Sequence, residues 1–238
     1  MIAPIEFLQE YQNKELFLST LPLEITDKYD VKACLKKTEN KQVYIIYRKS
    51  DGMKCILKCT GIESRENLVE EYGLHHSLLH TGLVPAVEFI KKSDCGYFIR
   101  EYIEGNTIAE LVEMTKDGKL SDGELVDITL QLCRILKYLH SQKPPVIHRD
   151  IKPDNIIYTK QKTCKLIDFG ISRRYSYEQE KDTKVLGTEY SAPPEQFGYK
   201  QTDARSDIYS IGVLMFFMAT GSLDIREIDS YPISRKIK

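Results

Sequence analysis

The spacing of apolar residues changes near residue 103, and this change constrains the fold more than any other feature of the sequence. Before it, VYIIYRK and MKCILKC flank the turn signal SDG, which predicts a β-hairpin with Lys58 near the end of its second strand. AVEFI and YFIREYI are two further predicted strands around KKSDCG, and RENLVEEYGLHHSLL has helical spacing. The chain up to about residue 103 is therefore predicted to be mostly sheet with one helix.

The second part of the chain is predicted to be mostly helical. SDGELVDITLQLCRILKYLHS has apolar residues at helical spacing and begins with a capping box, in which Ser121 is followed three residues later by Glu124. PPVI, NIIY and CKLI are short apolar strands, and a last helix covers roughly residues 206–220. EYIEGN is the natural connector between the two parts.

These patterns predict an α+β fold with a β-rich first lobe and a mostly helical second lobe. The predicted organisation is an N-terminal extension over residues 1–28, with an amphipathic helix at 5–18, a first lobe at 29–103 and a second lobe at 104–238. A chain of 238 residues is long enough to bury a sizeable core in this arrangement.

The composition limits the cellular compartment and the classes of partner that we expect for this chain. The formal net charge is -1, so nothing favours a nucleic-acid partner. The six cysteines include no CxxC pair, which indicates free thiols in a reducing compartment. The N-terminus is too charged for a signal peptide, and the longest apolar run, IGVLMFFMA, is too short to span a bilayer. We expect a cytoplasmic protein without a membrane span.

The segment VIHRDIKPDNII, residues 146–157, concentrates polar side chains between two apolar strands. The carboxylate of Asp150 can orient a hydroxyl group and accept its proton, and the amide oxygen of Asn155 can bind a divalent metal. The ammonium group of Lys152 can neutralise charge on a transferred phosphoryl group. In LIDFG, Asp168 follows a strand, and its carboxylate with Asn155 nearby would hold magnesium between phosphate oxygens.

With these motifs in order, the chain resembles the eukaryotic-type serine/threonine protein kinases in the version found in bacteria. HRDIKPDN resembles the catalytic loop, DFG the metal-binding turn, and CILK the strand that carries the ATP lysine. GTEYSAPPE, residues 187–195, resembles the peptide-binding segment, and DARSDIYSIG the start of the central helix of the large lobe. The likeness runs from about Tyr29 to Gly221.

The resemblance implies a role for each matching residue. Asp150 would be the catalytic base, Lys152 the phosphoryl stabiliser, Asn155 and Asp168 the magnesium ligands, and Lys58 the residue that binds the α- and β-phosphates of ATP. Asp207 would be structural and would tie its helix to the catalytic loop. Further residues would contact the adenine with side chains or backbone groups: Val43, Ile56, Ile157, Glu101 and Ile103. The partner of Lys58 is Glu71 by spacing, with Glu70 as the alternative.

Two departures concern the nucleotide. Lys36, Thr38 and Lys41 stand where the family has its three glycines, so the backbone there is expected to lie farther from the phosphates and ATP binding to be weaker, with the chemistry retained. Arg100 stands behind the adenine, at a position that is usually apolar. It is expected either to bend towards solvent or to pair with a carboxylate, for instance the one that should hold Lys58.

Two further expectations concern the rest of the second lobe. The sequence stops soon after the central helix, so the last helices of the family are expected to be missing. We expect either that the sequence is truncated there or that its exposed apolar surface depends on a partner or on self-association. Between DFG and the peptide-binding segment, phosphorylation of Thr183, with Ser176 second, is expected to order the loop by pairing with Arg149.

The function predicted from these residues is transfer of the γ-phosphoryl group of magnesium-bound ATP to serine or threonine hydroxyls of a protein. Lys152 with Thr188 suggests these acceptors rather than tyrosine. Trans-autophosphorylation is one form that the reaction would take. One alternative is a pseudokinase, an ATP-binding signalling scaffold, which the missing glycines favour. A second alternative is a small-molecule kinase, against which GTEYSAPPE argues.

Overall fold

The computed structural model describes residues 21–38, 40–174 and 202–224. The chain divides into two compact units. The small unit comprises the residues up to Ser77 together with Pro85–Tyr102, and the large unit comprises Leu78–Val84 and the residues from Ile103 onward. The predicted N-terminal helix at 5–18, the peptide-binding segment at 187–195 and the phosphorylation sites Thr183 and Ser176 lie outside the described residues.

The small unit is built on one antiparallel sheet, as the sequence predicted. Its elements in chain order are α1 (Leu23–Thr26), β1 (Tyr29–Lys37), β2 (Lys41–Arg48), β3 (Lys54–Gly61), α2 (Ile62–Ser77), β4 (Ala86–Lys91) and β5 (Cys95–Glu101). The strands lie in the order β1-β2-β3-β5-β4. The predicted hairpin is confirmed as β2 and β3. Because β3 continues to Gly61, Lys58 lies inside the strand, opposite Val43 on one side and Phe98 on the other.

Strand β1 had no counterpart in the sequence prediction. Only Tyr29 and Val31 are buried among its nine residues, and the register with β2 shifts twice, so the alternation that marks a strand is absent. Thr38 and Lys41 are bonded to each other between β1 and β2. Thr38 donates its backbone N–H to the carbonyl of Lys41 (2.8 Å), and the Lys41 N–H donates to the Thr38 hydroxyl oxygen (3.1 Å). Two of the residues that stand in place of the glycines are thus joined by hydrogen bonds.

The large unit is built around two long helices. Its elements are β6 (Asn106–Thr107), α3 (Ile108–Met114), α4 (Asp122–His140), β7 (Val146–Ile147), a 3-10 turn (Pro153–Asn155), β8 (Ile156–Tyr158), β9 (Cys164–Leu166), β10 (Arg173–Arg174) and α5 (Ala204–Thr220). The capping box of Ser121 and Glu124 is confirmed at the start of α4. One face of α4 is buried, with Ile128, Leu132, Ile135, Leu136 and Leu139.

Short strands and caps complete the large unit. Strands β6, β8 and β9 form one sheet, and β7 pairs with β10. Helix α5 begins after Asp203, which caps it, and ends at Gly221 in a left-handed conformation (φ 78°). Glycine is favoured there because a side chain at positive φ is strained. Within the described ranges, no helix combines the length and the apolar character needed to cross a membrane.

Candidate active site

The loop between β7 and β8 brings three of the predicted catalytic residues together. The side-chain amide of Asn155 donates to the carboxylate of Asp150 (2.7 Å) and to its backbone carbonyl (2.9 Å). The ammonium group of Lys152 lies 2.9 Å from the same Asp150 carboxylate. Asn155 is buried, whereas the side chains of Asp150 and Lys152 are 18% and 26% exposed. The Asp150 carboxylate is therefore oriented by two donors and remains within reach of solvent.

A buried carboxylate on α5 fixes the backbone of this loop. Asp207 is fully buried and accepts hydrogen bonds from the backbone N–H groups of His148 (3.0 Å) and Arg149 (2.8 Å). The ring Nε2 of His140, at the end of α4, lies 2.7 Å from the same carboxylate. The prediction that Asp207 ties its helix to the catalytic loop is confirmed. Asp207 is a positioning residue, since it holds the two residues that precede Asp150.

The conformation that Asp207 holds is an unusual one. Arg149 has a φ of 71°, in the left-handed region that a side chain seldom adopts. Two charge-assisted hydrogen bonds from the adjoining N–H groups offset this strain. Strain of this kind near a functional carboxylate persists only because the surrounding contacts determine the backbone.

His148 is a neutral, buried part of the same loop. Burial lowers the pKa of its imidazole below the usual range, against the opposite effect of the carboxylates of Asp207, Asp150 and Asp168. The Asp150 N–H donates to His148 Nδ1 (3.3 Å), and the Ser172 hydroxyl donates to the His148 carbonyl (2.8 Å). The ring of Phe169 packs edge-on against the imidazole, with the centroids 5.0 Å apart.

Asp168 is placed by the strand that precedes it. The N–H of Ile167 donates to the Asn155 carbonyl (3.0 Å), so the chain entering Asp168 is bonded to the catalytic loop. The Gly170 N–H donates to the Asp168 carboxylate (2.9 Å), which turns the chain sharply after it. This backbone hydrogen bond thus joins the segment that carries Asp168 to Asn155, the other predicted metal ligand.

The small unit places Lys58 against a carboxylate on α2. The ammonium group of Lys58 donates to the Glu71 carboxylate, and both residues are buried. His75, one turn further along α2, lies with its Nε2 3.9 Å from the same carboxylate oxygen. Glu70 is exposed, so of the two alternatives left open by the sequence Glu71 is the one that contacts Lys58. Two oppositely charged groups buried together stabilise one another as long as both remain.

Arg100 does not extend into solvent, so the first of its two alternatives was wrong, whereas pairing with a carboxylate stays a prediction. Arg100 is 6% exposed, and its Nη1 donates to the backbone carbonyl of Glu101 (3.0 Å). Arg100 stands between Ile56 of β3 and Ala86 of β4 on an inner strand, so its backbone has a neighbouring strand on each side.

The residues predicted to contact adenine are distributed over both units. In the small unit, Val43 lies on β2 and Ile56 is buried on β3, and Glu101 ends β5. In the large unit, Ile103 lies within the predicted connector, at the start of the segment that runs from Ile103 onward, and Ile157 lies on β8, opposite Thr107. Their roles in binding adenine stay predictions.

The donor atoms of the large unit suit magnesium. The side-chain amide of Asn155 donates its N–H groups to Asp150, and this fixes the orientation of its amide oxygen, which can accept. Asp168 adds a carboxylate. The described part of the chain holds no cluster of three or more histidine, cysteine, aspartate or glutamate side chains placed to bind a metal. Magnesium accepts one or two protein oxygen ligands and keeps several waters, so the pair fits its chemistry.

Sequence reasoning missed several residues of this site. It assigned no role to His140, although His140 contacts Asp207. It assigned no structural role to Ser172, which is buried against the catalytic loop. It also missed helix α3, whose capping box of Thr107 and Glu110 was a readable signal.

A comparison with protein-family models matches residues 30–237 to the protein kinase domain. The chain belongs to the protein kinase family. It is similar to the calmodulin-binding receptor-like cytoplasmic kinase 3 of Arabidopsis thaliana, with 32% identity over 72% of this chain and 35% of that protein. It is also similar to the serine/threonine-protein kinase PknB of Mycolicibacterium smegmatis, with 34% identity over 52% of this chain and 20% of that protein.

A third relative is the serine/threonine-protein kinase Nek1 of Mus musculus, with 28% identity over 71% of this chain and 14% of that protein. The chain therefore spans about a third or less of the length of these three kinases. The predicted α+β kinase fold is confirmed by the family match together with the antiparallel sheet of the small unit and the helices of the large unit.

Proposed function

We propose that this kinase domain transfers the γ-phosphoryl group of ATP to serine or threonine hydroxyls of a protein. The observation that carries the proposal is the hydrogen-bonded group of Asp150, Lys152 and Asn155 on a loop that Asp207 holds. Such a group has no evident structural purpose on a short loop, because its carboxylate stays partly exposed. It suits a reaction in which a positioned carboxylate accepts a hydroxyl proton.

In the proposed reaction, Asp150 orients the acceptor hydroxyl and takes its proton as the new oxygen–phosphorus bond forms and ADP leaves. Lys152, bound to the same carboxylate, brings a positive charge to the oxygens of the phosphoryl group in transfer. Asn155 and Asp168 would hold magnesium, and the bound ion would neutralise charge on the phosphate oxygens. Lys58, oriented by Glu71, would bind the α- and β-phosphates.

The remaining assignments are part of the same proposal. Val43, Ile56 and Ile157 would cover the adenine, and the backbone of Glu101 and Ile103 would face its edge. The acceptor protein would bind along residues 187–195, with Thr188 favouring serine or threonine. Phosphorylation of Thr183, with Ser176 second, would act through Arg149. We further propose a cytoplasmic location and trans-autophosphorylation between copies of the chain.

None of the three relatives named above is described as a non-catalytic scaffold, so we do not pursue a pseudokinase function. The experiment for the proposal is intact-mass analysis of the purified chain, with a serine- and threonine-containing acceptor protein, before and after incubation with magnesium-ATP. We expect the chain and the acceptor protein to gain mass in steps of one phosphate, carried on serine or threonine. Excess acceptor protein should reduce the phosphate gained by the chain, whereas excess small alcohols should not. Competition by small alcohols would instead support a small-molecule kinase. An unchanged mass of chain and acceptor would contradict phosphotransfer.

A further inference from the structure

Arg100 is a charged residue that is buried on an inner strand of the sheet. It lies on β5 between Ile56 of β3 and Ala86 of β4, and only 6% of it is exposed. A guanidinium group is withdrawn from water only where hydrogen bonds compensate for the lost hydration. Its position is therefore maintained by specific contacts, and one of these is with the backbone of the next residue.

This contact is with the carbonyl of Glu101. Arg100 Nη1 donates to this oxygen at 3.0 Å. The backbone on either side of it is fixed, because the Glu101 N–H donates to the Pro85 carbonyl (3.3 Å) and the Tyr102 N–H donates to the Lys54 carbonyl (3.2 Å). The Lys54 ammonium group also lies 3.6 Å from the centre of the Tyr102 ring. The guanidinium and the carbonyl thus form a rigid pair at the end of β5.

We propose that Arg100 sets the base preference of the nucleotide and weakens the discrimination of adenine over guanine. The inference rests on the proposed function, in which the backbone of Glu101 faces the edge of the base. A guanidinium group offers only donors. The 6-position of adenine is an amino donor, whereas guanine presents acceptors at O6 and N7, which arginine binds well. A donor beside the Glu101 carbonyl therefore opposes the adenine amino group and provides a partner for guanine.

The test is a comparison of magnesium-ADP and magnesium-GDP binding by titration calorimetry. It uses the unmutated chain, Arg100→Met, and Arg48→Met as the matched control, because Arg48 lies on β2 and its guanidinium binds Asp51. We expect the unmutated chain to bind the two diphosphates within about tenfold of each other. In Arg100→Met the ratio should shift towards ADP by about tenfold or more, the size expected for one hydrogen bond to a charged group. Arg48→Met should leave the ratio unchanged.

A second variant protects the test against a failure of the methionine protein to fold. Arg100→Leu has no hydrogen-bond donor in its side chain, so it should shift the ratio in the same direction. If both variants folded and bound ADP and GDP with the same affinity ratio as the unmutated chain, the role of Arg100 would be overturned, whereas the proposed nucleotide binding would stand. If the unmutated chain bound neither diphosphate, the proposed function would fail, and this inference with it.

Discussion

Replacing Asp207 with alanine should destabilise the large unit and disorder its catalytic loop. The change removes the acceptor of two buried backbone N–H groups, those of His148 and Arg149, and the partner of the His140 ring. A buried donor left without a partner costs about 1–3 kcal/mol, so the two N–H groups together account for about 2–6 kcal/mol. Because Arg149 is strained at a φ of 71°, its backbone is expected to relax once the carboxylate is gone.

Asparagine at the same position gives a graded comparison. Its amide oxygen can still accept from one of the two N–H groups, so Asp207→Asn should lose about 1–3 kcal/mol, less than the alanine variant. Either loss is a large share of the 5–15 kcal/mol that stabilises a typical domain. Asp117→Asn is the matched control, because Asp117 is exposed in the same unit, and it should change the free energy of unfolding by less than about 0.5 kcal/mol.

Urea unfolding provides the free energies, and amide hydrogen exchange locates the effect. Protection of the His148 and Arg149 amides should fall in both Asp207 variants, and phosphotransfer should fall with it, since these residues position Asp150. If Asp207→Ala unfolded within about 0.5 kcal/mol of the unmutated chain and kept protection at both amides, the argument that this carboxylate holds the loop would be refuted.

Three further predictions concern other parts of the chain. Lys58→Met should lower the free energy of unfolding by about 3 kcal/mol, because it leaves the Glu71 carboxylate buried without its lysine. Adding Glu71→Gln should restore part of this loss. If the losses of the two single variants simply added in the double variant, as measured by urea unfolding, this prediction would be contradicted. His148 has a lowered pKa when folded, so the stability that depends on neutral His148 is present above its ordinary pKa and is lost as the pH falls. The free energy of unfolding should therefore drop as the pH falls from about 7 to 5, and it should drop less steeply with pH in His148→Gln. Equal pH dependence in the two proteins would count against the argument that burial keeps His148 neutral. Gly221→Ala should lower the melting temperature, because its φ is 78° and a methyl group would meet a backbone carbonyl. In Gly123→Ala, in the first turn of α4, the methyl group meets nothing, so the melting temperature should stay the same or rise. A lower melting temperature for Gly123→Ala than for Gly221→Ala would rule out this explanation.

The sequence predicted the elements that have regular patterns. Alternating apolar residues around SDG predicted β2 and β3, and helical spacing after Ser121 predicted α4, because in both cases the buried face repeats with the period of the element. The polar loop within residues 146–157 was predicted as well, since its polar residues lie close together between two short apolar strands, and the family resemblance identified it as the catalytic loop. Local order in the chain was sufficient to place these elements.

Features that depend on distant residues could not be predicted in the same way. Strand β1 is exposed along most of its length and is held by pairing with β2 rather than by its own alternation. Whether Glu70 or Glu71 contacts Lys58 depends on the rotation of α2 against the sheet. The place of Arg100 on an inner strand depends on pairing with β3 and β4, and the left-handed backbone of Arg149 depends on a carboxylate 58 residues away.

The most direct test of the account is phosphoryl transfer by two variants that carry the same chemical change in one loop. Asp150→Asn removes the proposed base, and Asp154→Asn makes the identical change four residues later at an exposed position. Transfer from labelled ATP to a protein serine or threonine should fall by a factor of at least about 100 in Asp150→Asn, the scale of general-base catalysis. Asp154→Asn should remain within about twofold of the unmutated chain. Equal transfer by both variants would show that Asp150 is not the base and would contradict the account of the site.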